Sequence, residues 1–244
     1  MKTIIRKVFI SISGAALSAS IVFFSGCKAD PAKEPTGFLG SKDPLYRYPT
    51  LECFHKIWYD KNFKGWDKFK KIYFAPVNVD YVVNMNWWNH VNVEFDRKTS
   101  IKDLGEYMRK TFIKAHKENK HPKYALKVVE KPDAETVIVE MAITEVVPTK
   151  VWLNAAGYFF IYTAIDQGVV AMEAKIKDGA TGQVFMKIMD REKGRTTLVS
   201  LSDLTWYSHA HGIIDDWAAQ SVEFVNSEQN DIIEDSSPFT LLPW

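Results

Sequence analysis

The stretch from Val169 to Asp190 leaves little freedom: it alternates at a period of two and turns back on itself around glycines. Val170, Met172, Ala174 and Ile176 fall on one side, and Glu173, Lys175 and Lys177 fall on the other. That is the pattern of a strand with one face buried, and a slip of one residue would turn every apolar side chain outward. Its turn is Asp178-Gly179-Ala180-Thr181-Gly182. An aspartate bonds its own backbone two residues on, and each glycine supplies positive φ, so the segment is expected to be a β-hairpin.

Further strands follow from the same argument. In Glu135 to Val147, Val137, Val139, Met141 and Ile143 alternate with Ile138, Glu140, Ala142 and Thr144. Ala125 to Glu130 precedes it across the turn Lys131-Pro132-Asp133, and Lys56 to Tyr59 and Lys71 to Val79 are strand-like, with Pro76 marking a bulge or an edge. Helical spacing governs two segments. Ile101, Leu104, Met108, Phe112 and Ala115 define a helix over Ser100 to Lys117, with Ser100 and Asp103 resembling a capping box. Ile214, Trp217, Ala218, Ser221 and Val225 define another over Ser208 to Asn226. With no regular β-α-β alternation, the expected fold is α+β: a mostly antiparallel sheet of about five strands with two helices packed on one face.

The beginning of the chain is of another kind. Lys2, Arg6 and Lys7 precede an uncharged run from Val8 to Phe24, diluted by serines and ending in Ser25-Gly26-Cys27. This order of basic, apolar and small residues is that of a secretory signal rather than a folded element, and the run is short for a span. The residues before Cys27 resemble a bacterial lipobox, although Phe24 stands where leucine is usual. That resemblance implies cleavage before Cys27 and acylation of it, and more than one acyl chain gives stable membrane attachment. Lys28 in the next position, under the sorting rule of enteric bacteria, implies the outer membrane facing the periplasm. The expected organisation is a signal peptide over residues 1–26, a lipidated cysteine and flexible tether over 27–50, one domain over 51–226 and an acidic tail over 227–244.

Without the three basic residues of the signal, 28 of the 31 basic residues face 30 acidic ones, so no global field invites nucleic acid. The charges are nevertheless polarised. Eleven basic residues lie between Arg97 and Lys131, whereas none follows Arg195. If the two helices lie side by side, each screens the other; if they are apart, the basic one is free to meet anionic lipid or wall polymer. With Cys27 acylated, Cys53 is left to be a small buried hydrophobe.

Phe38-Leu39-Gly40, Tyr59, the segment Trp66 to Ile72 leading to Pro76, the Asp178 to Gly182 turn, Asp190-Arg191 and Trp217-Ala218 together carry a resemblance. They resemble a family of uncharacterised bacterial lipoproteins catalogued as domain of unknown function 3313, over about residues 37 to 226. The resemblance implies an envelope location and an α+β fold, and it brings no catalytic residues.

Candidate sites are few. Trp87 and Trp88 with His90 sit in what should be a connection, where exposed tryptophans stack on sugars or anchor a partner; the alternative is that they cap the core. His211 and Asp215 share a helix face at four-residue spacing and are weak metal candidates, because a site needs a third ligand and ordinary polar residues also begin helices. The apolar end Pro238 to Trp244 is either frayed or docked. The sequence has no G-x-S-x-G, H-E-x-x-H, phosphate-binding glycine loop or C-x-x-C, so no enzyme and no cofactor are expected. The expectation is a lipid-anchored envelope protein of interaction or assembly, bound to the membrane through Cys27 and to an envelope protein partner. The alternative is a periplasmic glycan or small-ligand module, with a hydrolase or metalloenzyme ranked last.

Overall fold

The expected hairpin forms the middle of the sheet. β5 (Val169–Asp178) and β6 (Val184–Lys193) pair antiparallel, with Met172 opposite Asp190 and Ala174 opposite Ile188. In the turn, the Asp178 carboxylate accepts the Ala180 amide at 2.8 Å, and Gly182 has φ +71°. Gly179 serves a different purpose: a Cβ there would lie 2.3 Å from the Asp133 carbonyl oxygen and 2.6 Å from that of Thr136. These features belong to a computed structural model that describes residues 30, 34–40, 43–83, 97–148, 168–194, 207–228 and 231–235.

β4 (Thr136–Val147) pairs antiparallel with β5, and β1 (Lys56–Tyr59) pairs antiparallel with β6. β2 (Lys71–Phe74) runs parallel to β4 and to β3 (Lys127–Val128). The sheet order is β1-β6-β5-β4-β2-β3, so the α+β class holds but the sheet is mixed and six-stranded, not mostly antiparallel with about five strands. The reason is α1 (Arg97–Glu118), which carries the chain from the end of β2 back to its starting side and makes β2 and β4 parallel. Pro76 lies just past β2, where pairing with β4 becomes irregular and is resumed by single bridges at Asn78 and Val83.

Both helices cover one face. Leu104, Met108 and Phe112 of α1 and Ile213, Ile214 and Trp217 of α2 (Ser208–Asn226) are buried against Phe74, Ile143, Val170 and Met172. Each such side chain contributes about 1.5–3 kcal/mol relative to exposure. α1 begins three residues before Ser100, which therefore stands inside the first turn and not at a cap as the sequence suggests. His116 is buried at the end of the stripe of α1, and Ala115 beside it is partly buried against the core. Cys53 is fully buried in the same core.

Candidate interaction surfaces

The face of the sheet away from the helices is charged and is covered by the segment expected to be a tether. Lys177 and Lys175 hold Glu140 at 2.8 and 3.2 Å; burial pushes the Glu140 carboxyl up, but the two ammonium groups keep its pKa below the usual value. Arg191 grips Glu145 with two nitrogens at 2.6 and 3.2 Å, and its third donates to the Asp30 carbonyl at 3.0 Å. Glu173, almost fully buried, accepts the Thr36 amide at 2.6 Å, and burial raises its pKa. Phe38 and Leu39 bury against Ala142, Lys175 lies 4.2 Å over the Phe38 ring, and Lys187 meets Asp43 at 2.6 Å. Tyr46 then pairs with Ile57 of β1. Over the described residues 34–40 and 43–46 the chain is thus a strap bonded to the sheet, which differs from the flexible tether expected there. Alternation led to Glu173 as a wet position, but the strap takes the place of water.

Beneath α2, Asp190 ties three elements together. Its Oδ1 accepts the His55 backbone amide at 2.9 Å and lies 2.6 Å from His55 Nδ1, and its Oδ2 accepts the Trp217 indole N–H at 2.6 Å. All of these groups are buried. His55, Asp190 and Glu192 form the one cluster of three metal-type ligands among the described residues, with ligand atoms within 4.8 Å of one another. Asp190, however, already accepts the His55 amide and the Trp217 indole N–H and lies against His55 Nδ1, so its oxygens are engaged within the protein.

The two helices do lie side by side, and the candidates His211 and Asp215 fall in their seam. The His211 ring packs at a tilt of 35° on Tyr107, 4.1 Å between centroids, and Tyr107 donates its hydroxyl to Asp215 at 2.8 Å. Burial, then the Asp215 carboxylate, pushes the Tyr107 pKa up to about 12. The pair is brought together by an aromatic residue of α1 and serves helix packing. Further along the seam, His116 Nε2 lies 3.0 Å from Ser221 Oγ, while Ser221 donates to the Ala218 carbonyl at 2.7 Å. Asn119 bonds Asn226, and Lys123 and Tyr124 both reach Glu228. Basic and acidic segments therefore partly screen one another, the first of the two arrangements considered from the sequence. Burial holds His116 at about 4 and likewise His209, whose ring packs on Gly168 and Gly194.

Two surfaces escape a sequence reading. On the flank of α2 turned from α1, Asp216, Ala219, Gln220 and Glu223 face Ile232, Glu234 and Asp235 across an open groove of about 500 Å³. Ile233 between them is fully buried and bridges to Leu51, so this part of the expected acidic tail is docked. At the turn end of the hairpin, Phe63, Phe69 and Phe185 stack, and Trp66, 44% exposed, leans edge-on against Phe185 at 4.9 Å. The only advance signals were the aromatic spacing of 63, 66 and 69 and the run of late acids. Cys27, Trp87, Trp88, His90 and the end from Pro238 to Trp244 lie outside the described residues. No described helix is long and apolar enough to cross a membrane.

Known proteins add a family and an outline. The family model for "Protein of unknown function (DUF3313)" matches residues 34–221. No curated protein matches. Among solved structures, a hypothetical protein from Chlamydia trachomatis aligns at 10% identity and TM-score 0.40, over 64% of this chain and 98% of that one. A PelC dodecamer from Paraburkholderia phytofirmans aligns at 11% and 0.37, over 66% and 91%. A DUF4136 family protein from Bacteroides thetaiotaomicron aligns at 7% and 0.34, over 70% and 95%.

Proposed function

The chain belongs to the DUF3313 family of unknown function, and from that premise we propose that it is a lipid-anchored protein of a bacterial envelope that works by holding a partner. The anchor is Cys27, and the membrane is the outer one, seen from the periplasm. The observation that carries this reading is the strap. Asp30 is bonded to Arg191 of β6, and only three residue steps separate it from Cys27, a reach of about 10 Å. An acylated Cys27 would therefore hold the back of the sheet close to the bilayer. The helical layer and its groove then point away from the lipid, where a partner can reach them.

In-cell crosslinking of the tagged chain, with Cys27→Ser as control, tests this. The expected result is a specific envelope protein linked through the helical layer and lost in the control. A folded, membrane-bound chain with no specific partner would overturn the reading. A glycan or small-ligand module is the second reading, favoured by Trp66, exposed on its aromatic stack. Tryptophan fluorescence that stays unchanged on titration with wall glycans would remove it.

A further inference from the structure

The described residues that line the groove along α2 include four carboxylates and no lysine or arginine. Glu223 and Glu234 form no ion pair among the described residues. Gln220, which lines the same groove, is 7% exposed; its amide nitrogen reaches Asp235 at 3.5 Å, but its oxygen has no hydrogen-bond partner. Ala219 and Ile232, the latter 62% exposed, add apolar wall. An occupant must bring positive charge, several donors and an aliphatic stem, which together describe lysine side chains.

The same chain presents such side chains at a matching interval. Lys110, Lys114 and Lys117 are exposed on α1 at spacings of four and three, so they form one stripe about 10 Å long. Lys110 pairs with Glu106, whereas Lys114 and Lys117 form no ion pair among the described residues. Asp216 and Glu223 are also seven residues apart on α2, so stripe and groove have the same length. The stripe cannot reach the groove of its own copy. α1 packs on the other flank of α2 through Tyr107 and Asp215, His116 and Ser221, and Asn119 and Asn226.

We propose that the acidic groove of α2 takes the α1 lysine stripe of a second copy of this chain. The contact is head-to-tail, since it joins two different surfaces, and it propagates into a ring or a chain of copies. It deepens the interaction reading by naming the partner, and its failure is separate: a different crosslinked protein would sink this inference and leave that reading standing.

The test is sedimentation of the full chain in detergent micelles, with light scattering for mass. Wild type is expected to be larger than a monomer and to dissociate at about 1 M salt, where the Debye length is about 3 Å. Lys114→Glu with Lys117→Glu, and separately Glu223→Lys with Glu234→Lys, should each give monomers with unchanged circular dichroism and melting temperature. An equal mixture of the two double variants should recover the larger species, because each supplies the complement of the other. A monomeric wild type, assembly indifferent to both charge reversals, or folded variants whose mixture stays monomeric would each overturn the proposal.

Discussion

Acidification should loosen the protein well before its ordinary carboxylates titrate. His116 and His209 are held neutral by burial, with pKa values of about 4 against 6.5 in the unfolded chain. Between those values the unfolded chain binds the proton and the folded one does not, so stability falls as pH falls, by about 1.4 kcal/mol per unit for each group. From pH 7 to pH 5 roughly 1.5 units lie inside that window, which gives about 2 kcal/mol per histidine and about 4 for the pair. Glu173 works in the opposite sense, because burial raises its folded pKa and that adds stability as the pH drops, so it offsets part of this loss. Asp133, Glu135, Glu140, Asp178 and Glu228 are all held low, and their contributions are lost only as the pH falls below their unfolded values of 3.8 to 4.5. Urea unfolding followed by tryptophan fluorescence at pH 7, 6 and 5 measures the loss directly. His116→Gln should remove about half of the dependence while remaining folded at pH 7. A stability that is flat between pH 7 and pH 5, or a slope unchanged in His116→Gln, would refute the reasoning.

Trp217→Phe removes the indole donor from Asp190 and leaves a buried carboxylate oxygen short of a partner, so unfolding in urea should show a loss of about 1–3 kcal/mol. Gly179→Ala forces a Cβ against the carbonyls of Asp133 and Thr136 and should cost about 1–3 kcal/mol by thermal melting, whereas the reverse change, Ala219→Gly in the exposed groove, should cost about 1 kcal/mol or less. Leu39→Ser with Phe38→Ser should free the strap: limited proteolysis would then cut within residues 34–46 while the sheet and helices stay resistant, and an uncut strap would count against its being held by these two side chains.

The elements that could be read in advance were those whose signal is local. The hairpin declares itself through alternation over ten residues a side and a turn with its own chemistry, and α2 through apolar spacing that reproduces its bounds at Ser208 and Asn226. Strand partners are another matter. Nothing in Lys71 to Phe74 says that it will run parallel to Thr136 onward, because that depends on where α1 delivers the chain. The strap was missed because Phe38 and Leu39 stand in a run of prolines and glycines with no period, and only packing against Ala142, Leu45 and Tyr81 buries them. Asp190 was quoted for its resemblance alone, since its donors come from residues 135 positions earlier and 27 later. Helical spacing sets His211 and Asp215 on one face, but Tyr107, which touches both, belongs to another helix.

The most direct test of the account is of the anchor at Cys27, on which the placement of the whole molecule depends. Cells expressing the wild-type chain or Cys27→Ser would be fed an alkyne fatty acid and the purified protein assayed for label and for membrane association. The account predicts label and membrane retention in the wild type and loss of both in the variant. A wild-type chain without label, or a Cys27→Ser chain that keeps it, would contradict the account.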